Sequence, residues 1–446
     1  MRPPVRVSVD SFSADGSGSG LDDRGRRWTI RGAAPGSVVL AGGRAKAGVL
    51  LDVVSPAPDA VAPRCGVFGL CGGCQWQQVP LERQRAEKHR ALAALLAPLG
   101  GDDLGIVGDD GYGYRNKVEL SFGAARYLPR EEQAAGAERA GRFLGMHAPG
   151  RFDRIVDAPR CELITERANA VLARVRHDAL GSTFPLWDPH SHTGFFRHLA
   201  LREGRDGVVL SLHTSPGGPD HEEWIRAHAP GWGAAGVLWV ESDRPADVAA
   251  GNLREVVFGT DHVRERLAGV EIRLSPSAFF QVNPLGAERL VQEVGARLGG
   301  GGTLVDLYCG TGALGLANAH RFDRVVGIEV NAAAVRDAEM NAAANRIPAQ
   351  FFAGEVEASL EALADVWASR PAVIVDPPRV GLHPRALETL SALDLSVLVY
   401  VACRPSSLLR DGLALMERGW RCVDRVAVDL FPQTGHVEVV SRWVRA

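Results

Sequence analysis

Apolar and polar positions change rhythm three times along the chain. In the first 58 residues, VRVSVDSF, RRWTIRG and VVLAGGRAKAGVLLDVV are short β-rich runs broken by GSGSG and APG, which predicts strands joined by tight turns in a small, OB-like β-barrel. Residues 80–98, PLERQRAEKHRALAALLAP, carry the helical period, with Arg83, Arg85, Lys88 and Arg90 on a solvated face. Between about 110 and 275, YRNKVELSF, GFFRHLALREG and GVVLSLHT alternate as strands do, while EEQAAGAERAG and TSPGGPDHEE read as surface insertions. A central α+β domain over 59–275 follows from this mixture.

From about 276 the pattern becomes regular. SPSAFFQVNP leads into a helix, with Asn283 as its N-cap and Pro284 in its first turn. Strand-like TLVDLY, RVVGIEV, QFFAG, AVIVD and LVYVAC alternate with helical stretches, one of them starting at about 355 and another running from Pro405 through Met416. Two strands in succession, WRCVDRVAVDLF and HVEVVSRW, close the chain as an antiparallel hairpin. This is the expected outline of an α/β, class I (Rossmann-like) methyltransferase domain over 276–446 rather than of a two-halved dinucleotide domain.

Composition adds mainly exclusions. At 46% hydrophobic and 23% charged the chain has an ordinary globular make-up, without an apolar run long enough to cross a bilayer. MRPPVRVSVD lacks a signal peptide's apolar core, so a cytoplasmic location is expected. A net charge of -3 gives no global attraction to nucleic acid, and any such surface is local. Local candidates are Arg26, Arg27, Arg31, Arg44 and Lys46 on the barrel, and two groupings of aromatic and cationic residues, Tyr114 to Lys117 and Phe195 to His198.

The seven cysteines, an odd number in a chain without an export signal, argue against a disulfide framework. Cys65, Cys71 and Cys74 share the glycine-rich RCGVFGLCGGCQW, where the backbone can wrap tightly enough for thiolates to converge. Cys161, in DAPRCEL, is the best fourth ligand. Zinc and a cubane iron-sulfur cluster both suit four thiolates.

Cys403 ends the strand LVYVAC just before a helix, at the sheet edge that faces the ligand crevice in open α/β folds. Burial in the core is the common fate of a free cysteine. Here the helix N-terminus and Arg404 are expected to lend it thiolate character. In DLYCGTG, Gly310 and Gly312 allow close backbone approach to a ligand, and Glu329, at the end of the next strand, is placed to accept a ribose's hydroxyls. Asp376 precedes two prolines that stop its strand and fix a rigid turn.

With those residues assembled, the chain resembles the RNA uridine-5-methyltransferases over nearly its whole length, through AFFQVN, DLYCGTG, GIEV, VDPPR, YVACRP and FPQTGHVE. It is most similar to the iron-sulfur branch that modifies ribosomal RNA and carries an N-terminal TRAM domain. The resemblance implies that Gln281, Tyr308, Glu329 and Asp376 bind S-adenosylmethionine, that Cys403 is the nucleophile and that Glu438 is the general base. It also implies a four-iron, four-sulfur (4Fe-4S) cluster on Cys65, Cys71, Cys74 and Cys161, and RNA as partner, with 23S rRNA the expected substrate. Ala402 and Arg404 stand where the family often has Ser and Asn, and Ala313 where it often has Asn. An RNA amino-group methyltransferase could use the DPPR turn but would need neither Cys403 nor Glu438. A non-enzymatic RNA-binding protein would not bind the methyl donor.

Overall fold

The computed structural model describes residues 3–276, 278–360 and 363–446. The chain forms two compact units. The first comprises Met1–Gln84, Gly111–Val263 and Pro432–Gly435, and the second Arg85–Asp110, Arg264–Phe431 and His436–Ala446.

In the first unit, Val5–Phe12, Gly18–Asp22, Arg27–Ile30, Val38–Arg44 and Ala47–Ser55 close into a five-stranded barrel. Alternation puts Val7, Val9, Trp28, Ile30, Val39 and Ala41 inside. Trp28 satisfies its indole N–H on Asp22 at 2.9 Å. Of the five barrel cations, Arg26 and Arg27 pair with Asp22 and Asp10, and Arg31 donates to the Gly72 carbonyl at 2.6 Å. Arg44 and Lys46 are exposed.

The same unit holds a seven-stranded sheet whose middle strands are Phe196–Gly204 and Gly207–Thr214. The helix Glu166–Gly181, capped by Thr165, lays Ala168, Val171, Leu172 and Val175 on that sheet. Two sequence expectations fail here. TSPGGPDHEE is not simply an insertion, because Gly218 and Pro219 start the helix Pro219–His228, which buries Ile225. Proline at the first helical position signals a helix start as readily as a loop. The grouping Phe195, Phe196, Arg197 and His198 is no platform for bases, since all four side chains lie in the core. Tyr114 is buried as well, its hydroxyl donating to the Pro432 carbonyl at 3.0 Å.

The second unit is an eight-stranded sheet in the order Ala349–Ala353, Arg324–Glu329, Thr303–Leu307, Ala372–Val375, Val397–Ala402, Glu438–Arg445, Trp420–Asp429, Asp102–Gly108. The first five strands are parallel, and Glu438–Arg445 runs antiparallel between its neighbours. That reversal is the closing hairpin expected from sequence. Asp102–Gly108 pairs in parallel with the outer edge. Its sequence, DDLGIVG, is too short and polar to have announced a strand. Side chains such as Leu307, Val375 and Leu398 face one hydrophobic layer, and Leu304, Ile374 and Val399 the other, as strands covered on both faces require. Asn283 caps Pro284–Leu298 by accepting from Gly286 N at 3.0 Å. The helix expected from about 355 is found as Val356–Ser359 and Ala364–Trp367, with residues 361–362 outside the described residues. Among the described residues no helix is long and apolar enough to cross a membrane.

Candidate active site

Strand register assembles the site. Leu307 pairs with Val375 and Ile328, and Val375 with Tyr400. Tyr308, Glu329 and Asp376 are therefore each the first residue at or just beyond the end of a parallel strand, on one edge of the sheet. In the antiparallel pair, Ala402 stands opposite Val439. That is the last pair of the ladder, and Cys403 and Glu438 each lie one residue beyond it. The two are close enough for the Glu438 charge to act on the Cys403 thiol.

Their electrostatics are those of a crowded, poorly solvated edge. Cys403 is half-buried, and burial pushes its thiol up to about 11, with Glu438 and Asp376 raising it further and Arg379 opposing. Glu438 is 2% exposed and its Oε2 has no hydrogen-bond partner. Burial first and Asp376 second hold its carboxyl well above the usual range, again against Arg379. Burial raises Asp376 in the same way. The expectation that Arg404 would activate the thiol is corrected. Arg404 is exposed at the helix N-cap, and the cation acting on the thiol is Arg379, from the turn after Asp376.

Beside this edge lies the glycine turn. Tyr308, Gly310 and Gly312 all have positive φ, at 62°, 54° and 78°, an alternation that gathers backbone N–H groups into a concavity. Glu329 accepts from Gly310 N at 3.1 Å and Asn331 N at 2.8 Å, which ties the two strand ends together. A pocket of about 50 Å³ is lined by Phe279, Phe280, Gln281, Asp306, Tyr308 and Asp376, among others. Tyr308 also walls a second hollow of about 650 Å³, with Pro378, Leu382 and Leu387. Gln281, Tyr308 and Asp376 thus share one pocket, and Glu329 sits at its glycine turn.

Sequence reasoning assigned no role to two residues, although it placed the first of them, Asp306, around the glycine turn. Asp306 is 1% exposed, with Oδ2 accepting from Gly315 N at 2.8 Å and Oδ1 without a partner, and burial raises its pKa to about 7. The signal was present, because an acid inside the apolar strand TLVDL is costly unless it has a task. Arg379 was visible only as the last letter of VDPPR.

In the first unit, Cys65, Cys71, Cys74 and Cys161 are all half-buried. Burial raises the first three, Cys74 to about 12, and each also feels the charge of Cys161. Backbone and side-chain contacts hold the set: Gly73 N donates to Cys71 Sγ at 3.3 Å, Cys65 N to Gln77 at 3.1 Å and Cys161 N to Asn169 at 3.0 Å. Among the described residues, no three His, Cys, Asp or Glu side chains surround a single metal-ion position.

The sheet with its one reversed strand, the glycine turn and the strand-end acids define an α/β methyltransferase fold of the S-adenosylmethionine-dependent class. The crystal structure of Pyrococcus abyssi tRNA (uracil-54, C5)-methyltransferase in complex with S-adenosyl-L-homocysteine matches it with a TM-score of 0.77 at 25% identity, over 98% of this chain and 100% of that one. Residues 248–442 match the family described as tRNA (Uracil-5-)-methyltransferase. A protein of Chlorobaculum tepidum, described as an uncharacterized RNA methyltransferase, is 36% identical over 89% of this chain and 86% of its own length. A tRNA (uracil(54)-C(5))-methyltransferase of Pyrococcus abyssi is 30% identical over 88% of each chain. The chain belongs to the RNA uridine-5-methyltransferase family and is an enzyme of that family.

Proposed function

We propose that this chain methylates carbon-5 of a uridine in RNA through a covalent adduct on Cys403 that Glu438 resolves. The observation that supports the reading is that Cys403 and Glu438 each follow the last pair of their ladder and that Glu438 and Asp376 both act on the Cys403 thiol. Carbon-5 of uracil is a weak nucleophile. Addition of the Cys403 thiolate to carbon-6 forms an S–C6 bond and pushes the ring's π electrons onto O4 as an enolate, so that carbon-5 becomes reactive. S-adenosylmethionine, when bound, supplies the methyl group to that carbon. Glu438 then removes the carbon-5 proton, the C5–C6 double bond re-forms, and the thiolate leaves. The buried, unpartnered Oε2 suits a base that must meet a carbon-bound proton.

Burial raises both groups, and one cation, Arg379, opposes the shift by favouring their charged forms. Arg379 therefore stabilises the thiolate that starts the reaction and the carboxylate that ends it. For the cofactor, Gln281, Tyr308, Asp306 and Asp376 form the wall, and Glu329 at the glycine turn is the ribose ligand. Asp306 Oδ1 is the available acceptor for a methionine ammonium. The hollow beyond Tyr308 has room for a nucleoside, with the tyrosine as part of its wall.

The four thiols suit a 4Fe-4S cluster. Cys65, Cys71 and Cys74 each feel the charge of Cys161, and Cys71 Sγ accepts from Gly73 N, a soft four-thiol donor set of the kind such a cluster takes. Cys65, Cys71, Cys74 and Cys161 would hold it, and its part is to order the loop. The barrel is read as a TRAM domain that grips RNA phosphates through Arg44 and Lys46. The domain limits proposed are 1–58, 59–275 and 276–446.

Barrel and four-thiol loop together favour 23S rRNA as substrate. A second reading, uridine 54 of transfer RNA, is favoured by the named activity of the Pyrococcus relatives. Incubation with methyl-labelled donor and unmodified ribosomal and transfer RNAs, followed by mapping of the labelled nucleotide, decides between them. Label on a base nitrogen, or none at all, would overturn carbon-5 transfer.

A further inference from the structure

The cation assigned to the thiol sits in a turn rather than in a strand. Beyond the strand Ala372–Val375 and the two prolines, Arg379 and Val380 form that turn, and both are exposed. The bond from Gly381 N to the Pro378 carbonyl at 2.7 Å closes the turn and sets its shape. Its place beside Cys403 is set by the helix Pro405–Met416, which begins two residues after the cysteine. Ser407 Oγ donates to the Arg379 carbonyl at 2.7 Å, Arg410 Nη2 donates to the Val380 carbonyl at 2.7 Å, and Asp411 Oδ2 accepts from Leu382 N at 2.8 Å. Residues spaced i, i+3 and i+4 share one helix face, so a single face takes the turn's backbone groups in succession. Asp411 is fixed in its own right. It is 1% exposed and accepts from the Tyr400 hydroxyl at 2.7 Å and from Arg410 Nε at 2.8 Å. Turn and helix lie so close that a Cβ on Gly381, whose φ is 83°, would stand 2.5 Å from Asp411 Oδ2.

A serine hydroxyl inside a helix commonly bonds back to its own backbone. That of Ser407, a residue 8% exposed, is instead committed to the backbone of the residue that carries the cation. We propose that Ser407 is the positioning residue of Arg379, tying the cation's turn to the helix that starts behind Cys403 so that thiol and guanidinium keep one spacing. The inference rests on the reading of Cys403 as a nucleophile whose thiolate Arg379 stabilises. The charged groups that act on the thiol are Glu438 from the closing hairpin, Asp376 at its strand end and Arg379, while Arg404, next in the chain, is exposed. Of these, Arg379 is the one that favours the thiolate. Releasing its turn leaves the two acids less opposed, so thiolate becomes scarcer at neutral pH.

The test uses the full chain with a substrate RNA and compares Ser407→Ala, Ser407→Thr, which keeps the hydroxyl, Arg379→Ala, and the double variant Ser407→Ala with Arg379→Ala. Two profiles are recorded from neutral to alkaline pH: kcat/KM, and the rate of alkylation at Cys403 without RNA, read by mass spectrometry. Ser407→Ala is expected to lower kcat/KM about two- to fivefold at neutral pH, less than Arg379→Ala does. The loss should vanish in alkaline solution, and the alkylation profile should move to higher pH. The Kd for S-adenosylmethionine should stay unchanged, and Ser407→Thr should restore the wild-type profiles. In the Arg379→Ala chain the second substitution should add nothing, because it acts through the residue already removed. An equal loss at every pH, or additive losses in the double variant, makes Ser407 a packing residue and overturns the proposal. If Arg379→Ala shifts both profiles and folded Ser407→Ala shifts neither, only the positioning role falls. If Arg379→Ala shifts neither, Arg379 is not the thiol's cation and both readings fall.

Discussion

Five cysteines in this molecule are half-buried, and they divide into two kinds by their neighbours. Cys403 lies at a sheet edge among two carboxyls and one guanidinium. Cys65, Cys71 and Cys74 lie in a glycine-rich loop, and beyond burial each feels the charge of Cys161 from a second loop. Burial raises Cys403 and the first three of that set alike, so burial does not distinguish a nucleophile from a ligand. What does is the nearest charge. Arg379 can stabilise one thiolate at a time beside acids that take up protons, whereas four facing thiols repel until a cation is placed among them.

Breaking each side in turn separates the two. Cys403→Ala is expected to reduce methyl transfer by about 10,000-fold or more while leaving the protein's visible absorbance unchanged, which activity and spectra on one preparation will show. Glu438→Gln should slow turnover roughly 100- to 10,000-fold and leave the enzyme as an RNA adduct on a denaturing gel. Cys74→Ser should do the reverse of Cys403→Ala, abolishing the brown colour of anaerobically purified protein and lowering Tm, while the thiol at 403 still titrates. A colourless wild type holding one zinc would instead make the four thiols a zinc site.

Smaller effects sharpen the contrast. With Cys403 and Glu438 both raised, their charged forms increase with pH, so kcat/KM should climb from neutral toward alkaline pH. Arg379→Ala should move that climb to higher pH and cost about tenfold at pH 7.5, the lower end for one opposite charge because Arg379 is exposed. Asp306 tests the remaining strand-end acid through stability. Its folded pKa of about 7 exceeds the ordinary 3.8, so the folded state keeps a proton that the unfolded chain has lost, and stability falls as pH rises from about 4 to 7. Asp306→Asn should thus raise stability at pH 8 by on the order of 1–3 kcal/mol, read as a higher Tm, leave it unchanged at pH 4, and weaken binding of S-adenosylmethionine in calorimetry.

Much of the second unit was legible because its strands announce themselves. AVIV and LVYVA are apolar throughout, their ends are marked by proline, glycine or a helix cap, and the acids and the cysteine fall at those ends. The first unit was harder to read. Phe196 and His198 look like a nucleic-acid grip in one dimension, but the face of the strand they occupy is set by its neighbours in the sheet. The helix Pro219–His228 hid behind a Gly-Pro pair, and Asp102–Gly108 became a strand only because Trp420–Asp429 offered it an edge.

By itself, the order of residues determined the alternation of strands and helices, the α/β class, and which thiols and acids occupy strand ends and loops, because those follow from periodicity and local steric preference. The tertiary structure alone decided that Arg379 rather than Arg404 faces the thiol, that Glu438 is sealed from water, and that Ser407 is bonded to the Arg379 carbonyl, which lies 28 positions away in sequence. Charge, desolvation and hydrogen bonding act through space. Their strength is set by distances that no spacing along the chain encodes.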